Sequence, residues 1–263
     1  MAQRALTAII GLPILIILIN LGGLWLRAGL LVLSLIGLFE FYRAMSGKVM
    51  VIHFVGYGFA VLYYLLVVGS RNHAFLLITA AGFILVTQSL MVVFYKKVTF
   101  NDCLITISGF FYVAFLLSFI YFVRDRSLYF VWLIFISAYA SDTFAYLVGR
   151  NFGRHKLTGS PSPGKTVEGC IGGVLGAAFI GYLYGIFFIY HQPMMINVVA
   201  VSVMGAIFGQ MGDLFASAIK RSAGIKDFGN LLPGHGGVLD RFDSTVTTAP
   251  VVYMVMIWVG YLI

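Results

Sequence analysis

Asp213, Ser217 and Lys220 follow one another at spacings of four and three in the run GQMGDLFASAIK. On a helix those spacings place a carboxylate, a hydroxyl and an ammonium on one face. Further along, Asp240 and Asp243 are three apart at the start of an apolar run, with Arg221, Lys226, Asp227, His235 and Arg241 before or between them. Grouped carboxylates need a cation, and hard divalent ions such as Mg²⁺ take carboxylate oxygens while leaving positions open for phosphate. Grouped bases need an anion. Gly234, Gly236 and Gly237 flank and follow His235, so backbone N–H groups can approach a phosphate closely just ahead of a helix N-terminus. The chemistry these residue types suit is metal-assisted handling of phosphate. Each feature also has a plainer reading: a helix cap for one of the acids, an ordinary turn for the glycines.

Two further positions join the set. Asp142 lies inside the apolar run SAYASDTFAYLVGR, where a carboxylate costs about 2.5–3.5 kcal/mol to insert at mid-bilayer and so usually faces a polar interior. A hydrogen bond between helices is its structural alternative. The segment Gly159-Ser-Pro-Ser-Pro-Gly-Lys165-Thr166 fits the nucleotide-loop pattern G-x-x-x-x-G-K-[ST] letter for letter. That identity is rejected, because the true loop follows a strand in a βαβ unit and Pro161 and Pro163 remove two N–H donors the cradle would use. What remains is Lys165 and Thr166 at the mouth of a helix, able to hold phosphate.

The elements that must carry these residues are membrane helices. Apolar residues make up 61% of the 263-residue chain and charged ones 10%, with a mean hydropathy of +1.00; soluble domains run at roughly 45–50% and 25%. A single soluble core, a disordered chain and a disulfide scaffold are excluded, and Cys103 and Cys170 sit in apolar stretches as reduced packing residues. Thirty glycines suit close helix packing, as in the Gly169/Gly173, Gly172/Gly176 and Gly181/Gly185 pairs at i, i+4. Windows of about 20 apolar residues fall at 5–24, 28–45, 50–69, 73–95, 100–123, 127–149, 167–190, 194–219 and 244–263. The expected fold is all-α, a polytopic bundle of about nine transmembrane helices. Arg4 and the first run are read as a span and not as a signal peptide, since no small-residue cleavage site follows.

Two polar connections are long, 150–166 and 220–243, and they hold most of the candidate residues. With nine spans, 13 of the 17 Lys and Arg residues fall on the side of the N-terminus and four on the other. That asymmetry puts the N-terminus and both loops in the cytoplasm and the C-terminus outside. The formal charge of +8 is then a basic face beside anionic lipid, with no nucleic acid implied. Residues 1–125 read as a membrane scaffold of about five spans, and 126–263 as the catalytic region of about four. Glu40, in the scaffold, is expected to pair with Arg43 one turn away.

The run from Ser217 to Asp243, SAIKRSAGIKDFGNLLPGHGGVLDRFD, resembles the phosphatidate cytidylyltransferase family, also called CDP-diacylglycerol synthases, without departure across its 27 positions. Ser141-Asp-Thr-x-Ala-Tyr146 and Ser162-Pro-Gly-Lys-Thr-Val-Glu-Gly169 are also similar to that family, with Gly164 where its pattern would carry another Lys. The resemblance covers about residues 130–250. It implies conversion of CTP and phosphatidic acid to CDP-diacylglycerol and pyrophosphate in a bacterial inner membrane, with Mg²⁺ required and a second cation left open. Asp213, Lys220, Lys226, Asp227, His235, Asp240, Arg241 and Asp243 would then be catalytic. Ser162, Lys165, Thr166, Ser217, Arg221, Gly236 and Gly237 would hold the nucleotide, and Asp213, Asp240, Asp243 and Asp142 the metal. Besides both substrates and membrane lipid, a homodimer is an open partner. The alternative is an ion-coupled secondary transporter, which intramembrane Asp142 and Asp213 would also suit, although no inverted repeat is visible. A CDP-alcohol phosphotransferase is disfavoured because its Asp-Gly-x-x-Ala-Arg element is absent from the sequence.

Overall fold

The computed structural model describes residues 2–46, 52–70, 72–157, 159, 161–189, 192–231 and 236–260, and the side chains of these except at 2–10, 73 and 192–196. Among the described residues the regular structure is helical, apart from one isolated antiparallel bridge between Lys156 and Thr166. The helices are α1 (Ala2–Leu21), α2 (Gly23–Met45), α3 (His53–Leu66), α4 (His73–Val93), α5 (Phe100–Gly109), α6 (Leu116–Arg126), α7 (Leu128–Phe152), α8 (Val167–Phe188), α9 (Gln192–Ala223) and α10 (Leu239–Trp258). A π-helical turn, Phe110–Phe115, joins α5 to α6 without interruption. Each expected apolar window carries helix. Six meet both the length and the hydropathy of a membrane span: Gly23–Met45, Ala74–Val93, Phe100–Arg126, Leu128–Phe152, Val167–Phe188 and Asn197–Ala223. Gly11–Leu21 and His53–Leu66 are apolar but shorter; at 1.5 Å per residue the 14 residues of α3 reach about 21 Å, less than a hydrocarbon core of about 30 Å.

The chain forms two compact units, Met1–Phe122 with Ser222–Arg241, and Val123–Arg221 with Phe242–Ile263. In the first, polar groups tie the helices together inside an apolar interior. Tyr64 and Ser34 share a hydrogen bond of 2.9 Å, Tyr63 and Ser118 one of 2.8 Å, and the Tyr42 hydroxyl donates to the Thr106 carbonyl at 2.8 Å. α5 opens with a capping box, Thr99 accepting from Asp102 N while Asp102 accepts from Thr99 N.

The second unit is built on small residues. α7 and α8 lie so close that a Cβ on Gly173 would stand 2.8 Å from the Ser141 carbonyl oxygen and 2.6 Å from Gln210 Nε2, and one on Gly169 2.8 Å from the Ala145 carbonyl oxygen. The two approaches to α7 carbonyl oxygens are backbone contacts of a closeness that only glycine permits. Thr166 caps α8, its hydroxyl accepting from Gly169 N at 3.1 Å. Gly173→Ala is therefore expected to destabilise the unit by about 1–3 kcal/mol, as overpacking does. A thermal scan in detergent should show the drop, and an unchanged midpoint would contradict this packing.

Candidate active site

α7, α8 and α9 enclose a cavity of about 360 Å³ within the second unit. Its polar lining is Asp142, Tyr146 and Arg150 from α7, Lys165 and Thr166 at the head of α8, and Gln210 and Asp213 from α9. The segment before α8 folds back on itself, with Leu157 N donating to the Lys165 carbonyl at 3.1 Å and Val167 N to the His155 carbonyl at 2.9 Å. It is a turn and not the strand-led nucleotide loop whose letters it carries. That turn delivers Lys165, whose Nζ donates to Asp213 Oδ2 at 2.6 Å with both side chains about a quarter exposed.

α10 adds a further acid. Gly212 lets it pass close to α9, since a Cβ there would lie 2.9 Å from the Asp243 carbonyl oxygen, and Thr248 donates to the Gly205 carbonyl at 3.1 Å. Asp243 thereby comes within electrostatic reach of Asp213, Asp142 and Lys220. Its Oδ1 accepts from Ser244 N at 2.8 Å, and the Ser244 hydroxyl donates to Asp142 Oδ2 at 3.4 Å. Three carboxylates and two ammonium groups thus converge, Lys220 being buried. Among the described residues no group of three or more His, Cys, Asp or Glu side chains is arranged to hold a metal ion. Of the three acids, Asp142 and Asp213 line the cavity, and carboxylate oxygens are the donors that hard divalent cations take.

Sequence reasoning missed Gln210, Tyr146 and Arg150. Gln210 is buried, and its Nε2 donates to Ser141 Oγ at 2.9 Å and to the Cys170 carbonyl at 3.0 Å, joining α7, α8 and α9 behind the acids. Its position three residues before Asp213 extends the polar stripe of α9 and was the available signal. Of the other expected residues of this unit, Ser162 accepts from Lys165 N at 3.2 Å through its carbonyl, while Ser217 and Arg221 lie on α9 away from the cavity lining.

The remaining expected residues belong to the first unit. Lys226 and Asp227 are exposed, and His235 lies outside the described residues. Asp240 Oδ2 accepts from Phe228 N at 2.9 Å and Gly237 N at 3.0 Å, so this oxygen, expected at a metal, holds the loop. Gly236 has φ +85°, a region that L side chains rarely adopt. Glu40 corrects another expectation. Buried at 1% exposure, it pairs with no arginine among the described residues; its Oε1 accepts from Val238 N at 2.9 Å and its Oε2 from Leu239 N at 2.7 Å. Arg43 instead stacks over the Phe39 ring, 5.7 Å from its centre.

Comparison with known proteins adds to this geometry. A protein of Staphylococcus haemolyticus named phosphatidate cytidylyltransferase is 33% identical over 261 residues, covering 98% of this chain and 99% of its own length. Proteins of the same name from Staphylococcus saprophyticus and Staphylococcus aureus are 31% and 33% identical over equal shares. The pattern of the Cytidylyltransferase family matches residues 2–259, so the chain belongs to that family.

Proposed function

We propose that the chain transfers the cytidylyl group of CTP to phosphatidic acid, releasing pyrophosphate and leaving CDP-diacylglycerol in the membrane. The observation that carries this reading is the Lys165–Asp213 pair at 2.6 Å in a polar cavity cut into helices that otherwise suit lipid. A phosphatidate oxygen attacks the α-phosphorus of CTP, and the bond from that phosphorus to the oxygen bridging to the β-phosphorus breaks. The nucleophile is already anionic, so no strong base is needed. The barrier lies in bringing two polyanions together, which positioning and charge neutralisation lower. Lys165, Arg150 and Lys220 supply fixed positive charge for the triphosphate, and Lys226 and Arg241 keep the phosphate-handling role that their motif implies. Asp142, Asp213 and Asp243 fit Mg²⁺ as a set of hard oxygen donors with room left for phosphate. Bound there, the ion would offset the triphosphate charge and stabilise the leaving pyrophosphate. The lipid's acyl chains stay in the bilayer while its headgroup reaches the cavity. Purified protein given CTP, Mg²⁺ and micellar phosphatidic acid should release pyrophosphate only when all three are present; release without the lipid would contradict the reading. Nothing in the comparisons favours ion-coupled transport.

The same reading sets the protein in a bacterial cell membrane with the 150–166 loop in the cytoplasm, where CTP is. Arg154 is exposed and lies outside the cavity lining. Arg154→Cys, in a background lacking Cys103 and Cys170, is expected to resist an impermeant maleimide in intact cells and to react after permeabilisation. Labelling of intact cells would reverse the orientation.

A further inference from the structure

Glu40 sits in α2, within the buried interior of the first unit, and it is 1% exposed. A carboxylate buried in such surroundings is costly unless its oxygens are met by donors. Here the donors are the N–H groups of Val238 and Leu239, almost two hundred residues away in sequence. Leu239 opens α10 and Val238 immediately precedes it, and the N–H groups at a helix start have no partner within the helix. They also carry the positive end of its dipole. Glu40 is therefore a cap supplied to α10 by another helix.

The fit around it is close. A Cβ on Gly229 would lie 2.6 Å from Glu40 Oε1, and one on Gly237 2.6 Å from Oε2. One turn earlier on α2, Leu239 Cδ1 lies at ordinary contact distance, 3.8 Å, from where a Cβ on Gly37 would stand. From the other side, Asp240 Oδ2 takes the N–H groups of Phe228 and Gly237. Four backbone donors of one connection are thus held by two carboxylates, and both ends of the segment 228–240 are fixed. Phe228, Val238 and Leu239 are buried with them.

Resting on the cytidylyl-transfer reading above, we infer that Glu40 is a positioning residue of that reaction: by capping α10 and seating Gly229 and Gly237, it sets the first turn that carries Asp240 and Arg241. The part of the chain expected to be passive scaffold thereby takes part in the chemistry through one side chain. Glu40 touches no substrate and does its work through the backbone it holds.

The test uses the full-length protein in detergent with CTP, Mg²⁺ and phosphatidic acid, and compares wild type with Glu40→Ala and the volume-conserving Glu40→Gln. Misplacement by about 1 Å costs on the order of 100-fold, so kcat is expected to fall about 100-fold in Glu40→Ala. It should fall about 10-fold in Glu40→Gln, which keeps one acceptor and sets an N–H₂ against the other donor. KM for both substrates should stay within about threefold, because no substrate contact is removed. Amide hydrogen exchange gives a readout free of chemistry: peptides covering 226–241 should exchange faster, while those of α2, α3 and residues 123–221 keep wild-type rates. Near-normal kcat in both variants would overturn the inference, as would faster exchange spread equally over α2 and α3, which marks a scaffold role alone. If wild type transfers no cytidylyl group, the reaction falls but the exchange arm still decides, and unchanged protection of 226–241 would then overturn the role of Glu40.

Discussion

Asp213→Asn is expected to lower cytidylyl transfer by about a thousandfold, corresponding to about 4 kcal/mol of lost transition-state stabilisation. Asparagine keeps the size of the side chain and one acceptor oxygen but removes its charge. Asp213 is the acid that Lys165 reaches directly and the one that both Asp142 and Asp243 feel, so its loss reduces three converging carboxylates to two. Fewer charged donors weaken the hold on a hard cation, and the Mg²⁺ concentration giving half-maximal rate should rise at least about tenfold. Stability should change by less than about 1 kcal/mol, because the pair lost is partly exposed and such pairs contribute little. Rates measured across a Mg²⁺ series, beside a thermal scan, check both statements. A variant within about threefold of wild type at limiting Mg²⁺ would remove Asp213 from the metal site.

Lys165→Met should have the second largest effect, a fall in kcat/KM for CTP of about a hundredfold or more, on the scale of a lost charge-assisted contact to phosphate. The sign of the accompanying Mg²⁺ effect separates the two variants. Without the ammonium, Asp213 faces Asp142 with its direct counter-charge removed, so the cavity holds a divalent cation more strongly even as it holds the triphosphate more weakly. Apparent Mg²⁺ affinity should rise in Lys165→Met and fall in Asp213→Asn. Equal shifts in one direction would show that Lys165 and Asp213 act only on each other. With side chains about a quarter exposed, neither change should unfold the protein.

How far this site could be read from the residues depends on the range of each interaction. Apolar runs of span length are local, and every one of them carries helix, because a chain in lipid must satisfy its backbone internally. The stripe Asp213, Ser217, Lys220 is visible from spacing, since it lies within two turns of one helix, whereas Thr166, read as a phosphate holder, also caps α8. The role of Glu40 is not visible from spacing. Spacing on α2 offered Arg43 as its partner, whereas the donors that satisfy it belong to Val238 and Leu239, and no periodicity reports a contact at that separation. Gln210 was overlooked because an amide carries no charge, though it ties three helices behind the acids. The segment 222–241 packs with the N-terminal helices, which follows from the burial of Phe228, Val238 and Leu239 and not from the polar composition that first drew attention to it. Asp240 looked like a metal ligand by its spacing from Asp243, yet one of its oxygens is committed to two backbone N–H groups of that segment.

A membrane-held phosphate attacks the α-phosphorus of CTP in a cavity whose charged lining is Asp142, Arg150, Lys165 and Asp213. Labelling CTP at the α- or the γ-phosphorus, incubating each with the purified protein, Mg²⁺ and phosphatidic acid, and counting the solvent-extracted lipid tests this attack most directly. The α-label should enter the lipid with one pyrophosphate released per label, the γ-label should stay in water, and Asp213→Asn should abolish both signals. Entry of the γ-label into lipid, or full α-label transfer by Asp213→Asn, would contradict it.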